Sequence, residues 1–256
     1  MSSAGSGYDL SASTYSREGR VFQVEYAQKA VEKGGTCVGV VCKDGVVLGV
    51  EKVVTSRLLV PGSARLVNAV DTHAGVATAG LVPDARQLVA RARADARQHK
   101  NSYNEPVPLA MLNAQLSGYV HSYTLYGYMR PFGCAVLLGG YDEHRGPALF
   151  AIEPSGVSFG YHATAVGKAA QTAKSELEKL DLKNMTAAAA VKEVARIIYH
   201  VHDDVKDKLF ELELSWCCDA SERKFVRVPK ALFDEAEAAA KAALSDGDDD
   251  EDLDDD

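Results

Sequence analysis

The sequence predicts an α+β fold in which two antiparallel sheets lie between layers of helices. Predicted elements come in blocks, namely strands, two helices, strands, two helices and strands again. Asp44-Gly45 joins the first two strands, and this dipeptide favours the tight turn of a β-hairpin. Residues 211–216 alternate polar and apolar side chains, as a half-buried strand does. Because helices cover the apolar faces of sheets, this order indicates sheets sandwiched between helices.

The first predicted helix, residues 21–33, precedes that hairpin and has two apolar faces. One face carries Val21, Val24, Ala27 and Val31, and the other carries Phe22 and Tyr26 beside Lys29 and Lys33. A surface helix normally needs a single apolar stripe, so we expect one face to pack on this chain and the other to meet another chain. The alternative is that loops of the same chain cover both faces.

The remaining elements follow in order along the chain. Strand-like runs at 65–71 and 74–80 lead to Pro83-Asp84, which opens a helix over 84–100, because proline and an acidic residue both suit the first turn of a helix. The pattern then predicts a helix at 109–124, strands at 133–139, 148–153 and 156–160, helices at 168–180 and 187–209, strands at 211–216 and 225–228, and a helix from Pro229 to about Leu244.

Most of the net charge lies at the C-terminal end. The formal charge is −8, and nine of the eleven residues from 246 to 256 are acidic. The rest of the chain is nearly neutral, with 28 basic residues against the 27 of 36 acidic residues that lie outside this block. A like-charged block repels itself and has little apolar surface to bury. We therefore expect residues 245–256 to be disordered and residues 21–244 to form a single domain.

The composition also bears on the cellular compartment. The five cysteines have no repeated spacing, and no basic segment followed by an apolar one opens the chain. No run of about 18 apolar residues occurs. We expect reduced thiols, no membrane association and a location in the cytoplasm and nucleus.

No segment predicts a metal, cofactor or nucleic-acid site. His200 and His202 lie in a predicted helix, where a two-residue step turns about 200°, so both are interpreted as helix-surface histidines. Cys217-Cys218 lack the spacing of a zinc site. Basic residues crowd the helix at 84–100, but no aromatics interleave with them, so a solvated face or a protein contact is expected. These basic residues are Arg86, Arg91, Arg93, Arg97 and Lys100.

Motifs near the N-terminus carry a resemblance to a known family. They are Tyr8-Asp9, the stretch Ser16-Arg17-Glu18-Gly19-Arg20, and the hairpin that Gly34-Gly35-Thr36 introduces. Through them the chain closely resembles the α-subunits of the core proteasome, over nearly its whole length. The resemblance implies a four-layer α-β-β-α sandwich of the N-terminal nucleophile hydrolase type, with no cofactor.

The same resemblance implies a chain without catalytic residues. The family's β-subunits use a threonine freed at the chain start, whose own amine serves the proton transfer. Here Gly35 takes the nucleophile position, Thr36 lies one residue late with an internal amide, and no lysine occurs between Val53 and His99, where the partner lysine is expected. The alternative is a self-processing hydrolase active through Thr36 or Cys37.

The resemblance further implies that residues 1–20 form part of a gate over an axial entry pore. Tyr8, Asp9 and Tyr26 match gate-associated positions, and Arg17 stands where the family has a proline. A cluster of two phenols and a carboxylate can hold an open turn by hydrogen bonds. Loss of the proline makes the turn at residues 16–20 less preset, because the backbone angle φ is no longer locked.

Partners are also implied by the resemblance. They are other α-subunits in a heptameric ring, β-subunits, and regulatory-particle activators, with ring contacts expected from the helices at 21–33, 84–100 and 168–180. Arg65 is the candidate to pair with an activator's terminal carboxylate, and Ser245, before acidic residues, is a candidate phosphorylation site. The alternative from another class is an acidic adaptor or histone-binding protein that acts through residues 246–256.

Overall fold

Two five-stranded antiparallel sheets pack face to face between helical layers. The computed structural model describes residues 7–56, 58–60, 62–202 and 209–251, with side chains as far as residue 244. The sheet and helix order confirms the α+β sandwich expected from the sequence.

The helices and strands follow the chain in this order. They are α1 (Phe22–Val31), β1 (Cys37–Cys42), β2 (Gly45–Val53), β3 (Val67–Ala69), β4 (Ala74–Gly80), α2 (Val82–Tyr103), α3 (Leu109–Ser122), β5 (Cys134–Asp142), β6 (Gly146–Ile152), β7 (Ser158–Tyr161), β8 (Ala163–Val166), α4 (Ala170–Glu178), α5 (Ala187–His200), β9 (Phe210–Cys218), β10 (Val226–Arg227) and α6 (Lys230–Glu251).

The first sheet has the strand order β10-β9-β2-β1-β8 and the second has the order β3-β4-β5-β6-β7. The Asp44-Gly45 hairpin pairs Val41 with Val46, as the dipeptide predicts. In the second sheet, β3 and β7 are the two edge strands.

Three apolar layers hold the sandwich together. Helices α4, α5 and α6 cover the first sheet through residues such as Val194 and Ile198, and α2 and α3 cover the second through Leu88 and Leu112. Between the sheets, Leu48 packs with residues of both sheets, including Leu137 and Leu149. A Cβ on Gly39 would lie 2.8 Å from Cδ1 of Leu149, so the sheets approach too closely there for a side chain.

One helix prediction differs from the structure. The helix predicted at 187–209 ends at His200, and residues 203–208 lie outside the described part of the chain. Helix α6 continues from the alanine-rich segment to Glu251, and extending an existing helix needs no new nucleus. The disorder expected for residues 245–256 stays a prediction, and residues 252–256 lie outside the description.

Both predicted apolar faces of α1 contribute buried residues. Ala27 and Val31 are buried on one face, and on the other Phe22 is 6% exposed whereas Tyr26 is 38% exposed. The second face is therefore divided between the core and solvent. None of the described helices is both long and apolar enough to cross a membrane.

Candidate functional site

Thr36 directly precedes β1 and has no access to solvent. Its backbone N–H donates to Oε2 of Glu51 over 3.0 Å, and the Glu51 N–H donates to the Thr36 carbonyl over 2.8 Å. The Ala169 N–H donates to the Thr36 hydroxyl over 3.3 Å. An internal amide offers no amine for proton transfer, so this threonine lacks what a nucleophile of this kind needs.

Residues before Thr36 are built into the fold. The Gly34 carbonyl accepts a hydrogen bond of 3.0 Å from the Lys168 N–H. A Cβ on Gly35 would lie 1.9 Å from the Glu51 carbonyl oxygen, so only glycine fits against β2. The nucleophile position is thus occupied by a glycine packed against backbone, and the alternative of a hydrolase active through Thr36 has no support in this geometry.

Glu51 also binds His202, which the sequence placed wrongly on a helix surface. The two side chains are 2% and 5% exposed, and Nδ1 of His202 lies 2.6 Å from Oε1 of Glu51. Because α5 ends at His200, the chain turns at Val201 and brings the imidazole against Phe210, with ring centroids 4.2 Å apart. His200 stays exposed, as predicted.

Cys37, the second candidate nucleophile, is fully buried. Burial, followed by the nearby carboxylates of Glu51 and Glu213, raises the pKa of its thiol well above the ordinary value. A thiol must ionise to attack, so Cys37 is chemically inert at neutral pH.

Lys52, on the adjacent strand β2, forms an ion pair with Glu211. Its ammonium lies 2.8 Å from Oε2 of Glu211, and its side chain is 7% exposed.

The predicted gate residues do not meet within this chain. Tyr26 stacks on Phe22 with ring centroids 6.3 Å apart, and the backbone carbonyl of Asp9 accepts a hydrogen bond from the Gln23 side chain. In the described part of the chain, no hydrogen bond joins the side chains of Tyr8, Asp9 and Tyr26. Arg17 is exposed.

Hydrogen bonds to Ser16 hold the turn at residues 16–20, in which Arg17 stands at the position of the family's proline. The Ser16 hydroxyl oxygen accepts hydrogen bonds from the N–H groups of Arg20 (3.0 Å) and Glu18 (3.3 Å). The Gly19 N–H donates to the Ser16 carbonyl over 3.0 Å, and Gly19 has φ of +78°, which favours glycine. Sequence analysis missed this role of Ser16, although a serine that begins a turn containing glycine is a signal for it.

Arg20 and Glu25 fasten that turn to α1. Nε of Arg20 lies 2.7 Å from Oε1 of Glu25, and a second guanidinium nitrogen binds the other carboxylate oxygen. The hydrogen bond lowers the pKa of the Glu25 carboxyl and raises the pKa of Arg20. This pair was also missed, since a spacing of five residues is not a helical neighbour spacing.

A cavity of about 600 Å³ lies between the N-terminal segment and the body of the chain. We call it the N-terminal groove. One wall is formed by residues 12–15 and by α1, and the other by the end of α3 and the turn between β6 and β7. The lining residues are Ala12, Ser13, Tyr15, Val21, Val24, Glu25, His121, Thr124, Leu125, Ser155, Gly156 and Val157.

The other predicted positions do not cluster with this groove. Arg65 is exposed, and its guanidinium has no ion pair among the described residues. The side chain of Ser245 lies outside the description. On α2, Arg91 pairs with Asp95 at 3.0 Å and covers the ring of Tyr119, while Arg93 donates to the Ala69 carbonyl. The described residues contain no group of three or more histidine, cysteine or acidic side chains that could hold a metal.

Comparisons with known proteins agree with the resemblance. A family model described as "Proteasome subunit" matches residues 31–217, and a second model, which describes the N-terminal signature of the family's A-type members, matches residues 8–30. An alpha type-3 proteasome subunit of Arabidopsis thaliana is 54% identical over 248 residues, which cover 97% of this chain and 99% of that protein. A protein of the same name from Dictyostelium discoideum is 54% identical over 246 residues, or 96% and 99%.

A more distant relative has another number in its name. A probable alpha type-7 proteasome subunit of Schizosaccharomyces pombe is 43% identical over 251 residues, or 98% of each chain. From residues 7–14 and 211–216, the sequence predicts an α-subunit of type 3, and the alpha type-3 relatives confirm that prediction. The A-type signature covers Tyr8, Asp9, Arg17 and Tyr26.

Proposed function

Because this chain belongs to the proteasome subunit family and has the N-terminal signature of its α type, we propose that it is a structural and gating subunit of the outer α-ring of the core particle. It is a non-catalytic chain. This assignment rests on the buried segment before β1, where the Thr36 N–H is an internal amide bound to buried Glu51. A ring of such subunits supports proteolysis by other chains without performing it.

Assembly follows from the α-type assignment. The proposed partners are six other α-subunits in a heptameric ring, with this chain at the seventh position that type 3 occupies, and β-subunits on one side of the ring. The exposed ring of Tyr26, with the Lys29 ammonium 6.0 Å from its centroid, supports a contact of α1 with another chain. No nucleic acid or membrane partner is proposed.

The gate role rests on how the N-terminal segment is attached. The Ser16 hydroxyl and the Arg20–Glu25 pair hold the turn at residues 16–20 beside α1. The preceding residues can then extend over a ring opening from a fixed base. Since Tyr8, Asp9 and Tyr26 do not bond to one another within the chain, the proposed phenol–carboxylate–phenol cluster uses side chains of adjacent subunits.

Activator docking and regulation are further parts of the proposal. Arg65 is exposed and suited to pair with a terminal carboxylate of a regulatory-particle activator. Phosphorylation of Ser245 would add about −1.5 to −2 charges and tune activator association. The five cysteines are free and buried, which supports the proposed location in the reducing cytoplasm and nucleus.

Native mass spectrometry of the particle purified through this chain tests the proposal. We expect a complex with seven different α-type chains per ring and one copy of this chain in each ring. Deletion of residues 1–15 should then raise peptide hydrolysis by the intact particle in the absence of activators. Recovery of a free chain, or of a complex without β-type subunits, would contradict the assignment.

A further inference from the structure

Strand β9 has one edge that its neighbouring strand covers only in part. On one side, β9 pairs with β2 along its whole length. On the other side, β10 pairs only with Ser215 and Trp216. The Val228 N–H extends that ladder by a hydrogen bond of 3.3 Å to the Leu214 carbonyl. Among the described residues, no strand covers the edge of β9 before Leu214.

Pro229 ends the ladder between β9 and β10. Proline has no N–H to donate to a neighbouring strand. Here it leads into α6, and the Phe233 N–H donates to the Pro229 carbonyl over 2.9 Å in the first turn of that helix. The chain thus leaves the sheet directly after Val228, and it does not occupy the position beside Leu212.

Leu212 therefore has a backbone N–H and a carbonyl without a partner in the described part of the chain. Alternate residues of a strand point these groups to opposite neighbours. The Leu214 carbonyl points to β10, so the groups of Leu212 point to the same side. On β2, the N–H of Glu51, opposite Leu212, bonds to Thr36 instead of β9. Unpaired backbone groups at a sheet edge are a template for an added strand.

A cavity of about 460 Å³ lies along this open edge. We call it the β9 edge groove. Leu212 and Leu214 line it, and Val67, Val228 and Phe233 add apolar surface. Its volume is within the size range of sites that bury a ligand. An extended peptide matches both features of this groove, because its backbone pairs with a strand edge and its apolar side chains fill the space beside that edge.

The charges at the β9 edge groove favour an acidic occupant. Arg227 and Lys230 line the groove and are exposed, and neither forms an ion pair with another described residue. Of the acidic residues in the lining, Glu211 already binds an ammonium and Glu213 accepts two backbone N–H groups, which leaves Asp234. Two unpaired cations against one unpaired carboxylate attract a ligand that carries carboxylates.

We propose that the β9 edge groove binds an extended acidic segment of a partner protein, which adds to β9 as a strand. The backbone of this segment pairs with that of Leu212, an apolar side chain packs against Phe233, and a carboxylate lies near Arg227 and Lys230. This site goes beyond the proposed function and does not depend on it. Arg65, the proposed contact of activators, does not line the groove.

Amide hydrogen exchange in the full chain tests this site. The probe is an acetylated and amidated heptapeptide of alternating valine and aspartate, in which the valines favour an extended strand. We expect saturating peptide to slow exchange at the amides of Leu212 and Leu214, which face the open edge. The same peptide methylated at every backbone nitrogen keeps its side chains but cannot donate to β9, and it should not slow this exchange.

Two results of this experiment would overturn the proposal. One is that the unmethylated peptide does not slow exchange at Leu212 and Leu214, or slows it no more than the methylated peptide does. The other is that exchange at these amides slows as the concentration of the chain rises without any peptide. In that case a second copy of the chain would fill the groove.

Charge variants give a second readout, the affinity for the peptide in isothermal titration calorimetry. Because like charges meet, we expect Arg227→Glu to weaken binding of the aspartate peptide about tenfold, and replacement of its aspartates by lysine to do the same. Lys43→Glu is the matched control and should keep the wild-type affinity. Lys43 is exposed in the β1–β2 turn, where Gly45 pairs with Cys218 at the far end of β9.

Equal affinities of Arg227→Glu and the wild type would overturn the proposed acidic partner. A folding defect is not expected for this variant, because Arg227 is exposed and forms no ion pair among the described residues.

Discussion

Nδ1 of His202 lies 2.6 Å from Oε1 of Glu51, and both side chains are buried. The other carboxylate oxygen of Glu51 binds the Thr36 N–H. One carboxylate therefore ties the end of α5 to the segment that joins α1 to β1. In a hydrolase of this fold the start of β1 must be free and reachable, whereas here the same place is filled by a buried polar network.

Replacing His202 should destabilise the fold, because Oε1 of Glu51 would stay buried without this hydrogen-bond partner. We expect His202→Ala to lower the free energy of unfolding by about 1–3 kcal/mol, measured by urea denaturation. His200→Ala is the matched control, since His200 is exposed, and it should change stability by less than about 0.5 kcal/mol. Similar small effects for both variants would contradict a stabilising contact between His202 and Glu51.

Asp84 should make stability depend on acid pH. Two guanidinium nitrogens of Arg130 bind its carboxylate at 2.7 and 2.8 Å, and this hydrogen bonding lowers the pKa of Asp84 from 3.8. A carboxyl with a lowered pKa in the folded state stabilises the chain above its unfolded pKa and stops doing so as pH falls through the folded one. Asp84→Asn should thus be less stable than wild type by about 1–3 kcal/mol at pH 7.

The loss caused by Asp84→Asn should shrink as the pH falls below 3.8, the ordinary carboxyl value. Unfolding curves of both chains at a series of pH values measure it. A difference that is constant over that range would show that the carboxylate charge does not contribute.

The cysteines should be unreactive while the chain is folded. Burial raises the pKa values of Cys42, Cys134 and Cys217 to about 12. Thiolates, the reactive form, are then scarce near neutral pH. We expect iodoacetamide at pH 8 to modify none of the five cysteines in the native chain and all five after denaturation, as counted by intact mass. Rapid alkylation of native Cys37 would support a catalytic thiol instead.

Ser16→Ala should loosen the turn that holds the N-terminal segment. The change removes the acceptor of two backbone hydrogen bonds, worth about 1 kcal/mol each. We expect faster amide hydrogen exchange at residues 16–20 and a higher basal rate of peptide hydrolysis by the assembled particle. Glu18→Ala is the control, because the Glu18 side chain is exposed in the same turn and the change keeps its backbone N–H, and it should leave both rates near those of the wild type.

The alternation of strands and helices and the Asp44-Gly45 hairpin were predictable, because local periodicity and turn chemistry determine them. The end of α5 was not, since Val205 and Leu209 continue the helical pattern beyond His200. His202 is buried because the chain turns after the end of α5 and because Glu51, on β2, binds its imidazole. Tertiary contacts override local propensity in this way.

The candidate site was predictable in part. Motifs around Tyr8 and Thr36 indicated the family and a chain without catalysis. The role of Ser16 and the pairing of Arg20 with Glu25 depend on the backbone conformation of the turn. The absence of the family's proline does not specify that conformation. The order of the strands within each sheet was also not predictable, because the order along the chain does not specify it.

The most direct test of the central claim is the intact mass of this subunit, released from the native particle by denaturation. An inert α-type subunit retains the residues before Thr36, and the account predicts a mass that includes residues 2–34. A mass that corresponds to a chain starting at Thr36 or Cys37 would show that the internal amide had become a free amine, and it would contradict the account.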